Sequence, residues 1–145
     1  MVKNADFIGT MYTNPYKFQY YDISDFSLFV NGKQYPNEGL SLGMDHEKTS
    51  VMAYRTLFEG LGIHHSIAGH QMKYDIFVNG YFVLLFDLTT DQGALEAHTS
   101  HPEQGNIRVE LKFSKPLPEA ITCQLYLEFN NSVLINLARN VTIDN

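Results

Sequence analysis

Gly39-Leu40-Ser41-Leu42-Gly43 matches the Gly-x-Ser-x-Gly pattern of a nucleophile elbow. Ser41, Asp87 and His98 also follow one another in the serine, acid, histidine order of an α/β hydrolase. The surroundings argue against that chemistry. An elbow needs a buried parallel strand running straight into the serine, whereas Tyr35-Pro36-Asn37-Glu38 reads as a turn and the chain lacks alternating strands and helices. The expectation is a glycine-punctuated loop leading into a helix.

Six histidines raise the question of a metal, because imidazole is a common ligand for zinc and iron. His64, His65 and His70 share one loop, and His98 and His101 share another. No His-x-His stands on a strand, as a jelly-roll metalloenzyme of the cupin kind requires. His101-Pro102-Glu103 starts like a two-histidine, one-carboxylate triad, but no histidine follows to complete it. These residues read as solvated loop histidines. The lone cysteine, Cys123, falls in phase with Ile121, Leu125 and Leu127, so it reads as inert packing on the inward face of a strand, not as a nucleophile. It cannot form an intramolecular bridge, which points to a reducing compartment. Asn130-Asn131-Ser132 and Asn140-Val141-Thr142 fit the glycosylation pattern, which carries little weight without a secretory signal. No catalytic, cofactor-binding or metal residue is assigned, and the chain is read as a non-enzyme without a cofactor.

The elements that would position any site are mostly strands. Ile107, Val109, Leu111 and Phe113 alternate with Arg108, Glu110 and Lys112, the period of a half-buried strand. After Pro116-Leu117-Pro118, the run Ile121, Cys123, Leu125, Leu127, Phe129 repeats the alternation against polar neighbours, and Val133 to Leu137 offers a short final strand. Phe26, Leu28 and Val30 lead into Asn31-Gly32, which favours a type I′ hairpin, with Lys33 to Tyr35 running back. Tyr81 to Leu88 is a nearly continuous apolar run suited to a strand buried on both sides. Phe7 to Tyr12 and Phe18 to Tyr21 are weaker strand candidates. The sum is about eight short strands, the signature of an all-β sandwich or barrel.

One segment departs from this rhythm. After Asp45 as N-cap, Val51, Tyr54, Phe58 and Leu61 fall at helical spacing, and Gly60 or Gly62 can end the helix, which is expected at about 46–60. Residues 62–73 and 90–105 read as surface loops. Tyr12, Tyr16, Phe18, Tyr20 and Tyr21 are denser than one half-strand needs; interface and core both remain open for them.

The 145 residues, 44% hydrophobic and 18% charged, suffice for one domain that buries roughly 70% of its unfolded surface without disulfides. A formal charge of −6 and the lack of a basic block exclude nucleic acid as the main partner. No apolar run reaches the ~20 residues that span a bilayer, and MVKNADF lacks the apolar core of a signal peptide. The expectation is a soluble protein made inside the cell and not secreted.

The order of several motifs resembles one family. Asn14-Pro15-Tyr16-Lys17-Phe18-Gln19-Tyr20-Tyr21, Val30-Asn31-Gly32-Lys33-Gln34-Tyr35-Pro36 and Tyr54-Arg55-Thr56-Leu57-Phe58 are similar to successive blocks in the capsid-like proteins of Maverick (Polinton) elements and adintoviruses. Gly80-Tyr81-Phe82, Phe86-Asp87-Leu88-Thr89, Gln104 to Phe113, Leu117-Pro118 and Arg139-Asn140-Val141 continue the match. Gly105-Asn106-Ile107-Arg108-Val109-Glu110-Leu111 is the most specific piece. The resemblance implies the C-terminal jelly roll of a double-jelly-roll major capsid protein, whose copies form pseudo-hexagonal trimers.

On that resemblance the whole chain, 1–145, is a single jelly-roll domain. It acts as a structural assembly module of the virion or as a domesticated derivative, with itself or sibling capsid subunits as partners, no nucleic acid as main partner and no membrane. The family chain is several times longer. A detached half exposes the face that packs on its sister, so an apolar patch larger than a few hundred Å² is expected. A lectin-like or receptor-like binding module and a metal-dependent jelly-roll enzyme are the rival readings.

Overall fold

The computed structural model describes residues 1–42, 50–63, 67, 69–93, 104–129 and 132–144. In chain order the elements are β1 (Val2–Lys3), α1 (Asn4–Ile8), β2 (Ile23–Val30), β3 (Lys33–Ser41), α2 (Ser50–Gly60), α3 (Tyr74–Val78), β4 (Ile107–Phe113), β5 (Ile121–Thr122), β6 (Ser132–Ile135) and β7 (Val141–Asp144). Every ladder is antiparallel: β3-β2-β4 forms a three-stranded sheet, and β1-β5 and β6-β7 are two-stranded. The fold is therefore mostly β, with a few short helices.

The hairpin expected at Asn31-Gly32 is present, with φ of 52° and 79° at the two turn residues, the left-handed pair that a type I′ turn demands. Both long ladders of β2 are irregular, and the irregularity sets the core. Ile23 pairs with Phe113 but Asp25 pairs with Lys112, so Ser24 is an extra residue on β2. That insertion reverses the inward phase, which is why Ile23, Phe26 and Leu28 are all buried despite an odd spacing between the first two. On the other side the pairing passes from Leu28↔Tyr35 to Phe26↔Leu40. The segment Pro36-Asn37-Glu38-Gly39, expected as part of a turn, is instead the bulged middle of β3.

One face of the sheet is covered by α2, α3 and the chain from Phe82 to Phe86. Ile23, Phe26, Leu28, Leu40, Leu42, Ala53, Leu57, Phe77 and Phe82 form a single buried cluster. Phe26 stacks on Phe86 with centroids 5.3 Å apart and planes 4° apart, and Phe77 packs on Phe82 at 5.2 Å. Helix α2 ends in a Schellman arrangement: Ile63 N–H donates to the Phe58 carbonyl and Gly62 N–H to that of Glu59, both at 3.0 Å, with Gly62 at φ 65°. Gly62 is thus the terminator, and Gly60 serves a different purpose. A Cβ there would lie 2.6 Å from Leu85 Cγ, so its bareness lets the 82–86 segment approach the helix. Thr56, buried beside it, donates from Oγ1 to the Ala53 carbonyl (2.7 Å) and accepts the Leu85 N–H (3.4 Å).

Among the described residues seven strands are found, close to the eight or so expected, though two of them are only two residues long. Other expectations are corrected. Phe7 to Tyr12 is not a strand, since α1 runs through Ile8; α1 and α3 join the single helix expected, which starts at Ser50, residues 46–49 lying outside those described. Tyr81 to Leu88 forms no ladder. Tyr81 makes one parallel bridge with Phe18, and the rest lies on the core through Phe82, Leu84, Leu85 and Phe86. An apolar run reports burial, and helices can supply that burial as well as a neighbouring strand. Of the strand expected over Ile121 to Phe129, only Ile121 and Thr122 are paired among the described residues, held by the very short β1.

Candidate interaction surface

Ser41 does not stand on an elbow. It is an exposed residue of an antiparallel ladder, opposite Asp25. Asp87 is half-buried and its Oδ1 accepts from Thr89 N (2.9 Å) and Thr89 Oγ1 (2.7 Å), a local turn. His98 lies outside the described residues, as do His64, His65, His101 and Glu103. His70 is described: its ring packs on Phe58 at 4.3 Å and on Tyr54 at 5.3 Å. Both its nitrogens are buried without a hydrogen-bond partner among the described residues. Among the described residues no group of three or more His, Cys, Asp or Glu is placed to hold a metal ion.

A cleft of about 280 Å³ opens between β3, α2 and residues 85–92, lined by Tyr35, Leu40, Glu59, Leu85 and Asp87 among others. Glu59 is paired with Arg55 at 2.6 Å, one helical turn away, and Asp87 is engaged by Thr89. The two carboxylates are thus committed to local partners.

The described surface is more informative. The N-terminal aromatics divide: Tyr12 (93% exposed) and Tyr16 point outward, whereas Phe18, Tyr20 and Tyr21 are half-buried, Tyr20 meeting Phe82 edge-on at 6.1 Å. Beyond β5, apolar side chains are exposed. Leu125 (62%), Tyr126 (89%), Leu127 (47%) and Phe129 (76%) are exposed, and so are Val133, Leu134, Ile135 and Leu137 around the β6-β7 hairpin. Among the described residues that hairpin makes no substantial contact with another element.

Cys123 is exposed, which corrects its reading as inward packing. The alternation around it identifies an apolar face, and Leu125, Leu127 and Phe129 on that face are exposed. Burial holds the Met1 ammonium below the ordinary value of 8.0, with the charge of the neighbouring Cys123 acting the other way. At β1 and its surroundings, Lys3 pairs with Glu119 at 2.8 Å; the hydrogen bond and charge of Glu119 raise the Lys3 pKa. Both groups are exposed, so the pair adds little stability.

Two motifs far apart in the chain meet at one end of the sheet. Asn31 N–H donates to the Asn106 carbonyl, Asn106 N–H donates to Asn31 Oδ1, and Asn31 Nδ2 reaches the Gln104 carbonyl at 3.4 Å. At the other end Ser114 donates from N (2.9 Å) and from Oγ (3.0 Å) to the Asp22 carbonyl, and Lys115 Nζ lies 3.3 Å from Asp22 Oδ1. Spacing alone could not have revealed these clamps, because each joins loops more than seventy residues apart.

What the fold defines is a strand-rich antiparallel module with one well-covered sheet face and exposed apolar side chains beyond β5, at Leu125 to Leu127, Phe129 and Val133 to Leu137. A Caenorhabditis elegans protein described only as uncharacterized is 26% identical to it over 150 residues, an alignment that covers 99% of this chain and 35% of the relative. The chain spans about a third of the length of the curated relative it matches. No protein-family model and no solved structure matches it. No helix among the described residues is long and apolar enough to cross a membrane.

Proposed function

We propose that this chain is a non-enzymatic assembly module, a jelly-roll domain of the kind found in Maverick/Polinton-like capsid proteins or a domesticated derivative of one, working in a capsid or capsid-like assembly through contacts with its own copies or sibling subunits. The observation that carries the proposal is the uncovered apolar surface between Leu125 and Leu137. Such side chains cost a soluble monomer solubility and gain it nothing until another surface removes them from water. The meeting of Asn31-Gly32 with Gly105-Asn106 supports the resemblance, because two of its blocks share one structural junction. The antiparallel sheet with a helix in a connection supports a sandwich of jelly-roll type.

Analytical ultracentrifugation across a wide concentration range, followed by electron microscopy of the assembled fraction, tests this. Discrete oligomers or shells are expected, and a monomer at every concentration would falsify the reading. A second reading, a receptor-like or lectin-like binding module, draws on exposed Tyr12 and Tyr16. Binding to a glycan or peptide array that is lost in Tyr16→Ala while oligomers persist would favour it.

A further inference from the structure

Between β5 and the β6-β7 hairpin runs Cys123–Phe129, a segment with the alternation of a strand that pairs with no strand among the described residues. All seven residues are exposed, and among the described residues none of their backbone groups has a backbone hydrogen-bond partner. Main-chain donors and acceptors left in this state form a template for a further strand.

We propose that this segment pairs antiparallel with the same segment of a second copy, about a two-fold axis through Tyr126. The inference rests on the assembly reading above and names the contact through which two copies meet. The sequence CQLYLEF is self-complementary in that register. Tyr126 faces its own equivalent, Leu125 faces Leu127 of the second copy, Cys123 faces Phe129, and Gln124 faces Glu128. The odd positions then form one apolar stripe across both copies and the even positions one polar stripe, since directly opposed residues share a face.

Charge selects the register. Glu128 is the segment's single charge, and the axis at Tyr126 sets it against the amide of Gln124, which can donate to the carboxylate. An axis at Glu128 would oppose two carboxylates, and a shift of the pairing by one residue would mix the apolar and polar stripes. On a chain of net charge −6, this nearly uncharged stretch is also where two copies approach with least repulsion. Added salt screens that repulsion and therefore strengthens the dimer. The partner is a second copy, not a foreign polypeptide, because one sequence supplies both halves of the match.

Single-thiol cross-linking of the full chain tests the register. In Cys123→Ser/Tyr126→Cys the two thiols of a dimer lie directly opposite, within the 4.4–6.8 Å Cα separation that a disulfide spans, whereas the native Cys123 thiols lie about 20 Å apart along the ribbon. Mild oxidation is expected to convert most of the Tyr126→Cys variant to a covalent dimer and little of the native chain. In parallel, Tyr126→Pro/Leu127→Pro removes a ladder donor in either hydrogen-bonding phase, because adjacent N–H groups of a strand point to opposite edges. The double variant is expected to raise the dimer dissociation constant at least tenfold while far-ultraviolet circular dichroism and melting of the monomer stay unchanged. If copies associate yet Tyr126→Pro/Leu127→Pro does not weaken them, or if both thiols cross-link equally, this contact is wrong and the assembly reading stands. A native chain that stays monomeric overturns both.

Discussion

Asn31 and Asn106, 75 residues apart, hold each other through a reciprocal pair: each backbone N–H donates to the other residue at 3.0 Å, one to a carbonyl and one to a side-chain oxygen. Asn31 does this from a left-handed turn position, so a single residue closes the β2-β3 hairpin and fixes where β4 begins. Asn31→Gly keeps the turn but deletes the side chain, and we expect a loss of about 1 kcal/mol. Asn31→Ala also strains the positive φ and should lose about 1 kcal/mol more. Urea unfolding of the two variants beside the native chain measures both, and equal stabilities for all three would show the clamp to be idle.

The faces of β4 are tested by neighbouring substitutions. Leu111 packs against the core and Lys112 is exposed, paired in register with Asp25. Leu111→Asp places an unpaired charge on the covered face and should cost about 3 kcal/mol. Lys112→Asp sets like charges opposite each other at the surface and should cost less than about 1 kcal/mol. Similar melting temperatures for the two variants would refute the assignment.

Gly60 separates helix propensity from packing. In an exposed helix, Gly→Ala stabilises by about 0.8–1.0 kcal/mol. Here the new methyl would meet Leu85 at Cγ (2.6 Å) and at its carbonyl oxygen (3.0 Å), and the overpacking cost of about 1–3 kcal/mol outweighs that gain. Thermal denaturation should therefore show Gly60→Ala melting below the native chain; a higher melting temperature would mean that the 82–86 segment does not rest on α2.

His70 is an imidazole among aromatic rings with neither nitrogen partnered among the described residues. A buried polar group left in that state costs about 1–3 kcal/mol, whereas an apolar ring of similar shape costs nothing of the kind. His70→Phe is expected to raise stability at neutral pH by about 1 kcal/mol in chemical denaturation. A marked loss instead would reveal a hydrogen bond that the imidazole depends on.

How far the sequence could be read follows from what each signal reports. Asn31-Gly32 is legible because a two-residue turn is specified by the conformational freedom of its own residues, and the alternation along β4 places its half-buried face at Val109, Leu111 and Phe113, with Ile107 at the strand's start exposed. The helix around Tyr54 and its Gly62 terminator are local signals of the same kind. No site of converging catalytic groups was legible, and the uncovered surface was legible only as an apolar pattern.

By itself, then, the sequence determined which residues are apolar on one face, where the tightest turn and the longest helix lie, and that strands dominate. Tertiary structure alone decided what covers each face. Periodicity treats Ile121 to Phe129 and Ile107 to Phe113 alike, yet the first is mostly uncovered and the second is paired with β2, because pairing and burial depend on neighbours remote in the chain. The extra residue at Ser24 likewise reverses a strand's phase through its partner's register, and the Asn31–Asn106 clamp exists only once loops 75 residues apart have been brought together.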